Sequence, residues 1–282
     1  MQFAKYQALG NDYLVVEETE LLKPLTAAQI KIICDRHYGV GSDGILLRKP
    51  EKEAGSFSLR IFNPDGSEVE KSGNGLRIFA RYLWDQGAVS EVPFRVETLG
   101  GTVTCKVIEK GRLIVVDMGM ALFDSTRIPV AGPSREVLRE PLVIRGENLE
   151  ISAVSMGNPH CVVHRDCLSE TEARRLGPLI ETNPLFPKRT NVQFTHVLDK
   201  ENIEIEIWER GAGYTLASGT SSCAASAVAR RLGLCEAKVK VHMPGGQLHI
   251  EIGNDFKIRL TGPVDKVMEG EVGEGLLKRV IR

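Results

Sequence analysis

Two short segments stand out for the chemistry they could do. Ser72-Gly73-Asn74-Gly75 and Ser218-Gly219-Thr220-Ser221 each join a strand-like run to a helix-forming stretch. A helix that opens on glycine presents unbonded N–H donors and a partial positive charge, which suits a carboxylate or a phosphate. Serine is also a common helix N-cap, and taken singly each segment reads as that. A third segment, Glu209-Arg210-Gly211-Ala212-Gly213, sets a carboxylate beside a guanidinium on a glycine turn after the strand-like Ile203–Trp208. Such a pair can hold the ammonium and carboxylate of an amino acid; a surface ion pair is the plainer alternative.

The serine segments belong to an internal repeat. Ser72 and Ser218 stand 146 residues apart, as do Asn63 in Phe62-Asn63-Pro64-Asp65-Gly66 and Glu209 in Trp208-Glu209-Arg210-Gly211. Gly10-Asn11-Asp12 and Gly157-Asn158-Pro159 are offset by 147. Three landmarks in one order at one offset point to duplication rather than chance recurrence of Gly/Asn turns. The chain is then expected to fold as two similar halves that divide near residues 118–125, with matching elements able to face each other across a cleft.

The elements that must position these residues are mostly strands. Period-two alternation or β-branched runs mark Tyr13–Glu17, Gly44–Arg48, Ser58–Asn63, Phe94–Thr98, Thr102–Ile108 and Arg112–Met118 in the first half. In the second they mark Ile151–Met156, Cys161–His164, Asn191–Val197, Asn202–Trp208, Lys238–Met243, Gln247–Gly253 and Lys257–Thr261. Helical patterns are few. Thr26 opens one as N-cap; Leu76, Phe79, Ala80 and Leu83 follow i, i+3, i+4, i+7; Leu168–Leu176 and the Ala-rich Cys223–Leu232 are the others. Many strands with two long helices predict an α+β protein with no Rossmann unit.

Composition narrows the function classes. The 282 residues are 42% hydrophobic and 26% charged, which excludes disordered, collagenous and fibrous chains. Lys+Arg total 36 against 37 Asp+Glu with no basic block, so neither nucleic acid nor a membrane surface is expected as a partner. No apolar run approaches the ~18 residues of a membrane span, and Met1–Tyr6 shows no signal-peptide core. The six cysteines include no Cys-x-x-Cys pair and read as reduced thiols, so a cytoplasmic location is expected.

Several motifs lead elsewhere and are set aside. Gly39-x-Gly41-x-x-Gly44 matches a dinucleotide fingerprint but precedes the strand-like Ile45-Leu46-Leu47 rather than a helix. His160 and His164 on one strand would lie about 13 Å apart, too far for a single zinc ion. No Gly-x-Ser-x-Gly elbow is present, and a Ser-Gly helix start alone is no triad. His37 and Asp43 read as structural.

The chain resembles the diaminopimelate epimerase family through Leu9-Gly10-Asn11-Asp12, Arg36-His37-Tyr38-Gly39-Val40-Gly41-Ser42-Asp43, Phe62-Asn63-Pro64-Asp65-Gly66-Ser67-Glu68, Gly73-Asn74-Gly75, Met156-Gly157-Asn158-Pro159-His160, Thr190-Asn191-Val192 and Glu209-Arg210-Gly211-Ala212-Gly213. The resemblance runs in order from the first strand past residue 230. It implies an α+β fold of two pseudo-symmetric domains, each a sheet or barrel wrapped around a central helix, with the active site in the cleft between them. It implies residues 1–120 as one domain, to which 264–282 return, and 121–263 as the other. By the family's pattern, Asn11, Asn63, Asn158, Asn191 and Arg210 would hold the distal amino-acid end of the substrate. Glu209 would meet the reacting amino group, and Gly73, Asn74, Gly219 and Thr220 the reacting carboxylate. The family needs neither pyridoxal phosphate nor metal, so no cofactor is expected; the partner is a small amino-acid substrate, and a homodimer is the expected assembly.

The departure falls on the chemistry. The family sets a cysteine ahead of each helix, one to take the α-proton as thiolate and one to return a proton from the other face. Here those catalytic positions are Ser72 and Ser218. Cys223 does not rescue the pattern, because family members also tend to carry a cysteine there. A thiol ionises near pH 8.5 and an alcohol, on water as a proxy, near 15.7; the gap of about 7 units is about 10 kcal/mol. A helix N-terminus recovers about 1–2 kcal/mol. Gly44 and Tyr214 also depart, from a common Gln and a common Glu. The expected function is an amino-acid epimerase of the L,L- to meso-diaminopimelate type in lysine biosynthesis, with Ser72 and Ser218 as acid and base. Three explanations of the serines stay open: an engineered Cys→Ser exchange, a natural branch in which serines work, or an amino-acid-binding homologue that lost the reaction. A racemase or dehydratase for another amino acid is a further alternative.

Overall fold

A computed structural model of the chain describes residues 1–51, 53, 55–273 and 275–276. The described residues form two compact units: one begins at Met1, ends at Val116 and takes in the described residues from Gly262 onward, and the other is Asp117–Thr261. The segment 264–282, expected to return to the first domain, lies partly outside the described residues.

In the first unit, β1 (Gln2–Ala8) pairs antiparallel with β2 (Asn11–Glu17), and α1 (Ala27–Cys34) crosses over to β3 (Ile45–Lys49), parallel to β2. Thr26 and Gln29 close a reciprocal capping box at the start of α1. Next, β4 (Ser56–Phe62) pairs with β3, and the short β5 (Glu68–Val69) with β4. Then α2 (Gly73–Asp85) leads to β6 (Phe94–Thr98), parallel to β4, followed by the antiparallel β7 (Gly101–Ile108) and β8 (Leu113–Met120).

The second unit repeats this order. After β9 (Glu140–Ile144), β10 (Glu147–Ser155) pairs with β11 (Pro159–His164), and α3 (Glu170–Glu181) crosses to the parallel β12 (Asn191–Val197). β13 (Asn202–Glu209) and β14 (Gly213–Thr215) follow, then α4 (Gly219–Arg231) and β15 (Lys238–Met243), parallel to β13. β16 (Gly246–Ile252) and β17 (Lys257–Pro263) complete it. The last strand, β18 (Asp265–Glu271), lies antiparallel on β1.

The repeat extends to the details of the two long helices. α2 and α4 each have 13 residues. Each ends in a left-handed glycine, Gly87 at φ +69° and Gly233 at φ +70°. In both, the residue after that glycine donates back into the last turn: Ala88 N–H to Leu83 O and Leu234 N–H to Ala229 O, both 2.9 Å. Only glycine takes that conformation without steric cost, which fixes where each helix stops.

Both helices are central. α2 packs against β1, β2 and β7, and α4 against β10, β11, β12, β13, β15 and β16. A helix walled in by strands has no solvent face, so α4 is built from side chains small enough for close approach. Ser221, Ser222, Cys223, Ala224, Ala225, Ser226 and Ala227 are all fully buried. α3 lies on the core formed by Ile151, Leu176, Ile180, Phe186 and Phe194. Ile30, Ile33 and Cys34 of α1 join Leu14, Ile45 and Phe62. Among the described residues no helix is long and apolar enough to cross a membrane.

Candidate active site

Ser72 and Ser218 both sit at helix N-caps, with nearly the same backbone: φ −137°, ψ 120° and φ −144°, ψ 125°. The Ser72 hydroxyl oxygen accepts the Gly75 amide at 3.0 Å, and that of Ser218 accepts the Ser221 amide at 3.5 Å. The carbonyls of Ser72 and Ser218 accept Leu76 N–H and Ser222 N–H. The amides of Gly73 and Asn74, and of Gly219 and Thr220, carry no hydrogen bond among the described residues. Each helix thus offers two adjacent N–H donors at its positive end, which suits one carboxylate oxygen or two. The helices begin three or four residues earlier than the apolar periodicity marks them, because cap geometry overrides the poor helix propensity of Gly-Asn-Gly.

In the first unit, Asn11 and Asn74 are joined. The Asn74 amide NH2 donates to Asn11 Oδ1 at 3.0 Å, and Asn11 Nδ2 donates to Asp43 Oδ2 at 2.9 Å. Arg77, fully buried one turn along α2, donates to Asn74 Oδ1 at 2.9 Å. The row runs from a cation to an anion, so neither amide can turn over without opposing like groups. Asp43 is bound in turn by Arg36 at 2.7 Å, which also holds Asp12 at 2.7 Å; Lys5 meets Asp12 at the same distance. Burial alone would raise the Asp12 pKa, but hydrogen bonds from Arg36 and Lys5 outweigh it and bring it to about 2. Asn63 stands apart from this row, donating to Ser67 Oγ at 3.0 Å across the Pro64-Asp65-Gly66 turn.

In the second unit, β11 and β12 bring Asn158, Asn191 and the Glu209–Gly213 turn together. Asn191 is buried, with Nδ2 on Pro159 O at 2.9 Å and Oδ1 accepting Arg210 N–H at 3.0 Å. The Arg210 guanidinium donates to Lys188 O at 3.1 Å. Glu209 is half-buried at the end of β13. Asn158 is half-buried and its Oδ1 lies 2.9 Å from His160 Nε2. Ser218 and Gly219 are buried at the start of α4 and Thr220 is half-buried.

Residues without a motif complete the arrangement. Glu181, at the end of α3 and 4% exposed, accepts Trp208 Nε1–H at 2.7 Å and Gly211 N–H at 2.9 Å and pairs with Arg189. It ties the turn that carries Glu209 and Arg210 to the helix. Gln193 bonds Ser221 at 3.1 Å. A glutamate thirty residues from its turn leaves no local pattern, which is why sequence reasoning passes over it. The departures have physical counterparts too. A Cβ at Gly44 would lie 2.2 Å from Phe62 O and 2.7 Å from the Tyr13 ring, so this backbone excludes a glutamine there. Tyr214 donates to Glu206 Oε2 at 2.7 Å, under the Arg174 guanidinium 4.1 Å from its ring centre. His164 bonds Ser152 at 2.9 Å, and Gly44 leads directly into β3.

The family model described as diaminopimelate epimerase matches residues 3–123 and 152–267. "Diaminopimelate epimerase 2" of Nostoc sp. (strain PCC 7120) is 54% identical over 272 residues, 96% of this chain and 95% of that protein. "Diaminopimelate epimerase" of Pelotomaculum thermopropionicum is 44% identical over 276 residues, 96% and 98% of the two chains. Solved structures show the same fold at low identity. A hydroxyproline epimerase from Agrobacterium vitis aligns with TM-score 0.71 at 14% identity, covering 96% of this chain and 92% of that one. A methylitaconate-delta-isomerase aligns with TM-score 0.63 at 14% identity, covering 98% and 97%. Matches over nearly the whole chain lead to one conclusion: the chain belongs to the diaminopimelate epimerase family, a family of isomerases.

Proposed function

We propose that the chain is a cofactor-independent amino-acid epimerase acting on diaminopimelate, L,L to meso, with Ser72 and Ser218 in the acid/base positions. The supporting observation is the pair of helix starts, each with one serine cap and two unbonded amides. Those amides stabilise negative charge as it builds on a carboxylate during α-proton removal. One serine, as alkoxide, takes the α-proton; the other hydroxyl returns a proton to the opposite face, and the charges reverse for the next turnover. Return is favourable, since a carbanion is a far stronger base than an alkoxide. Removal is the slow step, because forming the alkoxide carries the penalty of about 10 kcal/mol relative to a thiolate, only partly offset by the capped amide and the helix end.

A second reading, an amino-acid binder without turnover, is favoured by the same caps: both hydroxyl oxygens already accept a helix amide, as structural caps do. Incubation with L,L-diaminopimelate in heavy water, followed by NMR, separates the two. Uptake of α-deuterium supports the epimerase; no uptake over hours, with binding retained, leaves the binder. The double replacement Ser72→Cys/Ser218→Cys is expected to raise epimerisation by orders of magnitude. No gain would count against diaminopimelate as substrate.

A further inference from the structure

Behind Asn158, β11, β12 and the first turn of α4 enclose three polar side chains with no solvent access: His160, Gln193 and Ser221 are each fully buried. In the parallel register His160 lies opposite Asn191, two residues before Gln193, so both side chains leave the same face. His160 Nε2 stands 2.9 Å from Asn158 Oδ1, and the Gln193 amide nitrogen 3.1 Å from Ser221 Oγ. His160 Nδ1 and Gln193 Oε1 are both buried with no hydrogen-bond partner among the described residues. Burial holds the imidazole neutral, its pKa lowered to about 3, so it has a single N–H.

One N–H cannot serve two carbonyl oxygens. Either Gln193 or Asn158 must present its amide nitrogen to the ring, a half-turn that leaves the shape of the amide unchanged. Turning Gln193 places its NH2 on His160 Nδ1 and its oxygen on Ser221, whose hydroxyl donates as readily as it accepts. Every polar atom of the row is then paired: Ser221 O–H to Gln193, Gln193 N–H to His160, His160 N–H to Asn158. Turning Asn158 instead leaves the buried Ser221 hydroxyl proton with no acceptor in the row. The first arrangement satisfies one more buried donor, and it prevails on that ground.

We infer that His160 is a positioning residue that pins the Asn158 oxygen inward, so that Asn158 offers its amide NH2 to a ligand and reads a carboxylate rather than an ammonium group. Asn158 Nδ2 makes no hydrogen bond among the described residues, and the half-buried side chain leaves it accessible. The inference rests on the proposed function in one respect, that Asn158 touches the ligand.

Two measurements test it. The first is ligand-free: a two-bond 1H–15N correlation spectrum at neutral pH should show His160 as the Nε2–H tautomer, and the Nδ1–H tautomer would overturn the inference. The second compares binding of L,L-diaminopimelate, 2-aminopimelate (which lacks one amine) and lysine (which lacks one carboxylate) by calorimetry. His160→Met should weaken the two dicarboxylates by about tenfold and leave lysine within about twofold. His160→Gln, whose amide nitrogen can stand where the ring Nε2 stood, should restore the dicarboxylates. Equal weakening of all three ligands would mean a merely structural histidine and refute the inference. If the unaltered protein bound none of them, the proposed function would fall and the carboxylate reading with it, while the spectrum would still decide the ring's polarity.

Discussion

Replacing Glu181 is expected to be among the costliest single changes in the second unit, although the residue belongs to no motif. Its carboxylate is 4% exposed and serves two neutral donors, the Trp208 indole N–H at 2.7 Å and the Gly211 amide at 2.9 Å. With alanine at 181 both donors lose their acceptor, at about 1–3 kcal/mol each. The third partner, Arg189, has a side chain 52% exposed and can turn to water, so its pairing adds at most about 1 kcal/mol. Glu181→Ala should therefore destabilise by about 3–5 kcal/mol. Glu181→Gln keeps one acceptor and turns an NH2 toward the other donor, for about 2 kcal/mol. Urea unfolding followed by tryptophan fluorescence measures this directly, since Trp208 is one of only two tryptophans and sits on the bond in question. On the proposed function, binding of the substrate should weaken in both variants even below the unfolding midpoint, because the turn bearing Glu209 and Arg210 loses its tether. A midpoint for Glu181→Ala within about 0.5 kcal/mol of the parent would refute the reasoning, since water would then be satisfying both donors.

Other consequences are similarly direct. Gly177→Ala would ordinarily stabilise a helix by about 1 kcal/mol; here the new Cβ would lie 2.5 Å from the Trp208 ring, so a loss of about 1–3 kcal/mol is expected in thermal melts. Asp12, depressed from 3.8 to about 2, contributes stability that is complete above the unfolded-state value and is lost as pH falls from about 4 through 2. That is about 2 kcal/mol, and Asp12→Asn should flatten this acid limb in a pH series of urea melts. Ser72→Ala should cost about 1 kcal/mol through its cap bond of 3.0 Å, and Ser218→Ala less through its 3.5 Å bond. Equal costs would show that these distances do not rank the caps.

The repeat was the most legible feature, because it was written in turn residues whose backbone needs are local. Gly10 and Gly157, matched in the sequence, take φ of +87° and +95°, and the two serine segments become matched caps. The central strands were legible through their alternation, for example Asn191–Val197 and Phe94–Thr98. Strands such as Gln2–Ala8, Glu140–Ile144 and Asp265–Glu271 were not, since polar and exposed positions blur their period. The central position of α4 also escapes a moment-based reading, because a helix buried all round by Ala, Ser and Cys has no apolar stripe to detect. The partners of the site residues were least legible. Arg77 on Asn74, His160 on Asn158 and Glu181 on Gly211 depend on helix pitch, a hairpin turn and a packed helix end, none of which spacing alone specifies.

The caps bear on why serine can stand where the family has cysteine without dismantling the site. A hydroxyl accepts the amide of the third helical residue well, whereas a thiol does so weakly, so serine gains about 1 kcal/mol at the helix start while losing far more as a base. The unbonded amides of Gly73, Asn74, Gly219 and Thr220 are set by the cap and are in place with serine at both positions. On the proposed function, recognition and proton transfer are therefore separable at these two positions. Ser72→Cys/Ser218→Cys should raise turnover while lowering stability by about 1 kcal/mol per cap, with ligand affinity little changed. A variant that gained affinity together with rate would show that the thiols also shape the bound state, and the separation would fail.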